Sequence, residues 1–214
     1  MLNMSSADDR TARARIRDTA LELFAEHGEG MVTMRQIAEQ AGVSPALVVH
    51  HFGSKDGLRD AVVEHVRAWL DDLIDRSSQP DVTTDLAAGN WGSIAELVAP
   101  EALDGTLAAM PRYLRRLLLS GDPVGTDLIR SWHTRTVEVF KAWDAAGVID
   151  AGENPRIRAA ICMTADFGLF LLADQWREVL GTDPLGDGLP QWAAESMSVY
   201  GALFTGSTHP SAQE

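Results

Sequence analysis

A single cysteine, Cys162, stands in a chain of 214 residues, so no intrachain disulfide can form. No apolar run reaches the about 18 residues that a membrane span needs, so no membrane partner is expected. The first ten residues, MLNMSSADDR, are polar and acidic, unlike a signal or transit peptide; with one cysteine, the cytoplasm is the expected compartment. Chemistry-bearing motifs are missing as well. There is no nucleophile elbow, phosphate loop, HExxH or paired His/Cys ligand set. An enzyme is therefore not expected, and neither is a cofactor or metal. His50 and His51 are neighbours, and on a helix they point about 100° apart, which prevents chelation of one ion. There is also no repeat, no low-complexity run and no strand pattern. A surplus of positive charge is lacking too: the net charge is −13 and the pI near 4.8. Taken as a whole, that disfavours a nucleic-acid binder. The distribution softens the objection. Residues 1–60 hold seven Lys/Arg against nine acids, which leaves −11 for the remainder. Within Thr33–Lys55 only Glu39 opposes Arg35 and Lys55.

What is present is a dense run of helix signals from Thr33 to Leu58, TMRQIAEQAGVSPALVVHHFGSKDGL. Thr33 and Gln36 have capping-box spacing. Ile37, Ala38 and Ala41 give the first helix an apolar face, and Gly42 ends it. Ser44 caps the next helix, with Pro45 at its first position, where a missing N–H costs nothing. Val48 and Phe52 face inward from it. Ser54 caps a third helix, with Asp56 in its first turn. Helix, four-residue turn, helix is the geometry of a helix-turn-helix reader of DNA.

The residues also carry a resemblance. Thr33, Ile37, Ala38 and Ala41–Ser44, followed by His51, Phe52, Ser54, Lys55 and Leu58, resemble the DNA-binding domain of the TetR family of bacterial transcription regulators. Thr11–His27 is similar to that family's first helix. The resemblance covers about the first quarter of the chain. It implies an all-α protein: a DNA-binding domain at 10–58, joined by a long helix to a helical effector-binding and dimerisation domain at 59–205. It further implies a homodimer that reads a palindrome-like operator, with recognition helices about 34–36 Å apart. The recognition helix is Pro45–His51, capped by Ser44. Pro45, Ala46 and Leu47 lie where base edges are met, yet none can make a bidentate hydrogen bond. Arg35 can, on guanine, and the family often contacts a base from this position. Thr33, His51 and Lys55 suit phosphates. Val49 stands where the family usually has tyrosine, and Ala46 where glycine is common; His50 is the candidate to take over part of the lost contact. Arg13 and Arg17 lie one turn apart on the outside of the first helix, as a solvated face or a further phosphate contact.

The rest reads as helices. The first spans about Arg10–His27, with Ile16, Ala20, Leu23 and Phe24 inward; residues 1–9 read as disordered. A long helix covers about Lys55–Arg76, striped with Leu58, Val62, Val66, Trp69 and Leu73, as the covalent link between the domains. Ser77–Thr84 reads as a break. Further helices are expected at about Asn90–Val98, Ala102–Leu119 (kinked or restarted at Pro111), Pro123–Ala146, Asn154–Leu180 and Pro190–Phe204. The last two are too apolar all round for a monomer's surface, which points to a dimer packed through them.

The family's effector pocket lies in the C-terminal helices. Candidate lining residues are Trp91, Met110, Tyr113, Leu117, Trp132, Phe140, Met163, Asp166 and Phe167, each of which also fits plain core. Asp166, in an apolar stretch, should face Arg158 or the partner, or else await a cationic ligand. Cys162 reads as inert packing before it reads as a redox sensor, and His65 as a core histidine. The expected function is a repressor released by a small-molecule effector. A transcriptional activator and a helical protein-interaction module are the alternatives.

Overall fold

A computed structural model describes residues 3–88, 90 and 109–205. Among the described residues all regular structure is helical. In chain order the helices are α1 (Asn3–His27), a 3₁₀ turn (Glu29–Met31), α2 (Met34–Gln40), α3 (Pro45–Phe52), α4 (Lys55–Ser77) and α5 (Pro80–Ala87). They continue with α6 (Met110–Leu119), α7 (Pro123–Ala145), α8 (Pro155–Leu180) and α9 (Leu189–Thr205).

The sequence boundaries need two corrections. α1 begins at Asn3, inside the stretch expected to be disordered. The break after α4 is only Ser78 and Gln79, because Pro80 serves as a first-turn proline and starts α5. Pro111 lies in the first turn of α6, the restart that the sequence allowed. The helix expected at 90–98, apart from Asn90, and residues 102–108 of the one expected from 102 fall outside the described residues.

The chain forms two compact units. The first holds Met1–Trp69 and Gly105–Gly125, and the second Leu70–Asp104 and Thr126–Glu214. The chain therefore passes between them within α4, after Asp104 and within α7, so α4 is not the sole covalent link. In the first unit α1 packs on α2, α3 and α6. Its inner face is dry: Ile16, Ala20, Leu23 and Phe24 are buried, as are Ile37, Val48, Phe52, Leu58, Val62 and Val66. Each unit has its own core, and burial of such side chains stabilises it by roughly 1.5–3 kcal/mol apiece before entropy is counted.

α6 is fixed to this unit by charge as well as by packing. Arg116 donates from Nε to the Ala25 carbonyl and from Nη2 to the Glu26 carbonyl, both at 2.7 Å. These belong to the last turn of α1, where carbonyls lack helical partners. Arg59 of α4 meets Glu29 at 2.9 Å and pairs with Asp122, just beyond α6. Burial pushes the Glu29 carboxyl above its ordinary range, against the opposing pull of Arg59.

In the second unit a core cluster gathers Val82 and Leu86 from α5, Val137 and Phe140 from α7, Val148, Ile149 and Ala151, and Ala159 and Cys162 from α8. Trp143 and Tyr200 pack against it. The Asn154 side chain caps α8, accepting from the Ile157 N–H at 3.2 Å. Gly181, at φ 69°, ends the helix in the left-handed region that favours glycine. α8 is bent at Leu172, whose backbone leaves helical angles. Arg135 crosses from α7 to Asp71 at 2.9 Å and to Asp75, both on α4.

Candidate nucleic-acid interface

The reader is built from caps. Thr33 Oγ1 accepts from the Gln36 N–H at 3.2 Å, and Gln36 Oε1 accepts from the Thr33 N–H at 2.8 Å, completing the capping box. At the other end of α2, Gly42 takes φ 65° and the Val43 N–H returns to the Ala38 carbonyl at 2.9 Å. A side chain at Gly42 would be strained by that backbone. Ser44 then caps α3, accepting from the Leu47 N–H at 3.2 Å. Ser54 Oγ accepts from the Gly57 N–H at 3.1 Å and opens α4. Local hydrogen bonds thus set where each helix starts, while Ile37, Ala38, Val48 and Phe52 turn inward and fix which face stays out.

That outer face contains the expected contact residues. Thr33, Arg35, Ser44, Pro45, Ala46, Val49 and His50 are exposed, and Leu47, His51 and Lys55 are half-buried. Val49 keeps 51% of its surface in water, although it is a large apolar residue. An exposed valine in the motif that also carries Arg35, His50 and Lys55 can lie against thymine methyls or sugar.

Arginines on α1 serve structural contacts that the sequence did not disclose. Arg15 Nε donates to the Ala41 carbonyl at 2.9 Å, capping the end of α2. Arg13 lies 5.1 Å from the centre of the Phe52 ring. Arg17 is paired with Asp18 at 2.6 Å. His65 is half-buried, with Nε2 3.9 Å from Asp18. The signals for Arg15 and Arg116 are tertiary, since their carbonyl acceptors lie 26 and 90 or more residues away.

The candidate effector residues fall in different places. Met110, Tyr113 and Leu117 form the buried face of α6 and belong to the first unit. Tyr113 OH has no hydrogen-bond partner among the described residues, and burial keeps the phenol protonated. Trp132, Phe140, Met163, Asp166 and Phe167 belong to the second unit. There Trp132 stacks on Phe167 at 5.7 Å, and its Nε1 has no hydrogen-bond partner among the described residues. Phe140 sits in the core cluster. Trp91 lies outside the described residues.

Asp166 was expected to face Arg158 or the partner; within the chain it does not face Arg158. It accepts a hydrogen bond from Tyr200 OH at 2.8 Å, while Arg158 turns to the Asp150 carbonyl. Crowding by neighbouring atoms raises the Asp166 carboxyl and the Tyr200 hydrogen bond lowers it. Asp166 nonetheless keeps an exposed surface, so the carboxyl is crowded rather than sealed from water. Burial pushes the Cys162 thiol up to about 11, which leaves it protonated and unreactive at neutral pH.

Comparison with known proteins agrees with this geometry. Residues 16–62 match the family described as "Bacterial regulatory proteins, tetR family". The HTH-type transcriptional regulatory protein RaaS of Mycobacterium tuberculosis is 37% identical over 175 residues, covering 82% of this chain and 76% of that protein. The HTH-type transcriptional repressor Rv3405c of the same organism is 30% identical over 178 residues, covering 82% and 81%. Among solved structures, the SmeT–triclosan complex superposes with a TM-score of 0.64 at 20% identity, covering 89% of this chain and 91% of that one.

Proposed function

Since the chain belongs to the TetR family of bacterial regulatory proteins, we propose that Arg35, Lys55 and the start of α3 read a two-fold operator, and that a small molecule held by the helical unit relieves repression. The protein is a helix-turn-helix transcription regulator. The observation that carries the reading is the exposed contact edge from Thr33 to Lys55, ordered by consecutive caps. On it, Arg35 reads guanine O6 and N7. Thr33, His51 and Lys55 hold phosphates and set the register. Ala46, Leu47 and Val49 contribute apolar contacts and shape.

The body's charge of −11 repels DNA at long range and so suppresses binding that is not well docked. The reader then depends on two heads acting together. A second copy suits α8 and α9, where Ile157, Ile161, Leu172, Val179, Leu180 and Val199 are all exposed. Large apolar side chains left in water along two adjacent helices favour association. Repression fits the relative named a repressor, and a solved neighbour of the same fold was captured with triclosan. In this reading a ligand acts by preferring the state that does not bind operator; a preference of a few kcal/mol suffices.

The test is selection of genomic fragments by the purified protein, followed by fluorescence anisotropy on the enriched site across a salt series. The expected result is a palindrome-like site, bound with a steep salt dependence and lost when its half-sites are scrambled. Equal binding to every duplex would overturn the reading.

A further inference from the structure

Along α3 the side chains divide by task. Val48 and Phe52 are buried in the core of the first unit. His50 and His51 stand in the last turn, their rings edge to face at 5.4 Å. Pro45, Ala46 and Val49 remain, all three exposed. Residues three and four apart share a helix face, so Val49 stands beside both Ala46 and Pro45. This strip has no polar side-chain atom. The polar groups next to it are committed to the fold: Ser44 Oγ accepts from the Leu47 N–H at 3.2 Å, and Thr33 Oγ1 donates to Gln36 Oε1 at 2.8 Å. Pro45 and Val49 are about 6 Å apart along the helix, roughly the length of two base steps. In the major groove every base pair offers hydrogen-bonding groups, and thymine alone adds a methyl. Side chains that cannot exchange hydrogen bonds tell bases apart there by that methyl. Methylation of cytosine at its carbon 5 places the same group at the same point of the groove.

We propose that Pro45, Ala46 and Val49 read 5-methyl pyrimidines: thymine in the operator, with 5-methylcytosine as its substitute, so that methylation of a cytosine placed at such a step raises affinity. This selectivity rests on the reading of the Thr33–Lys55 edge as the operator surface and names the base chemistry that α3 selects. Arg35 stays the guanine reader, and the methyl contact is a separate source of specificity. Removing one buried methyl should weaken binding about fourfold, near 0.8 kcal/mol, and about fifteenfold when both half-sites lose it.

The test uses the full-length protein and the operator recovered by fragment selection, followed by fluorescence anisotropy. Deoxyuridine replaces thymine, first throughout the site and then one symmetric pair at a time. It keeps every hydrogen-bonding group of thymine and removes only the methyl. Full replacement should weaken binding about fifteenfold or more, and the loss should map to one or two adjacent steps in each half-site. At a mapped step, 5-methylcytosine in both half-sites should bind about tenfold more tightly than cytosine there. Val49→Ala, with circular dichroism unchanged, should bind the thymine and deoxyuridine duplexes almost equally at one mapped step. Loss of the methyls also alters DNA stacking and shape. A thymine-to-uracil ratio unchanged in Val49→Ala would therefore assign the effect to the DNA and overturn the proposal. Equal affinity of the parent protein for both duplexes, an operator without thymine, or equal binding of cytosine and 5-methylcytosine would overturn it as well. Each of these outcomes leaves the operator reading standing, since a selected site has been bound. Failure to select any site removes both.

Discussion

The two compact units differ in what they leave in water. In the first, the apolar residues of α1 and α2 turn inward almost without exception, and Met31, Val49 and Leu119 are the large apolar residues left in water. In the second, Ile157, Ile161, Leu172, Val179, Leu180 and Val199 stay between 47% and 71% exposed. Both units obey the same hydrophobic effect, so the contrast concerns partners rather than packing quality. The head is a small packed core whose exposed apolar residues stand singly on the 3₁₀ turn, α3 and α6, and its edge from Thr33 to Lys55 is suited to a polyanion. The helical unit presents apolar helix surface that water does not favour and that a second copy would cover.

The contrast can be broken most sharply in the head. Phe24 is 1% exposed, so Phe24→Ala should cost about 3–5 kcal/mol. Urea denaturation followed by circular dichroism measures it, and operator binding should fall in step. A loss below 1 kcal/mol would show that the head is not a tight core. The matching test in the other unit is Ile161→Asp, at a residue 63% exposed. Placing a charge on the proposed dimer face should weaken association about a hundredfold, near 2.7 kcal/mol. Sedimentation velocity reads it, and an unchanged dimer would assign that surface to solvent.

Smaller effects sharpen the same comparison. Thr33→Ala removes the capping box of α2 and should cost about 1 kcal/mol of stability, together with one phosphate contact at the operator. Thermal melts with and without DNA separate the two losses. Smallest is a pH effect at Glu29. Its carboxyl is raised in the folded protein, so the native state holds its proton more readily than the unfolded chain does. The stability it contributes is present below the ordinary value of 4.5 and is lost as pH rises through the raised value. Glu29→Gln should flatten that part of the stability curve, measured as urea midpoints between about pH 4 and 7. A curve of unchanged slope would contradict the assignment.

The same division explains what the sequence disclosed. Caps and turns are local, so Thr33–Gln36, Gly42, Ser44–Pro45 and Asn154–Pro155 could be read directly and stand in the structure as expected. The inner faces of α1 and α2 followed from periodicity. Boundaries that depend on context were harder. From sequence Pro80 reads as part of a break and Pro111 as a kink or restart, because a proline stops one helix and starts the next with the same chemistry. Side-chain partners across the fold were not legible at all. Nothing near Arg116 in sequence points to the Ala25 and Glu26 carbonyls, and nothing near Asp166 points to Tyr200, 34 residues on. The second unit depends on such pairings, which is why the partners of its polar side chains were not legible while the caps of the reader were.

The central claim is that the capped edge from Thr33 to Lys55 binds duplex DNA, and operator affinity of the Arg35→Ala/Lys55→Ala protein tests it most directly. Measured by anisotropy on the selected operator, affinity should fall by about thirty- to a thousandfold, the loss of one bidentate base contact and one phosphate contact per head. The salt dependence should become shallower with it. A well-folded double variant that binds the operator as tightly as the parent, with the same salt dependence, would contradict the claim.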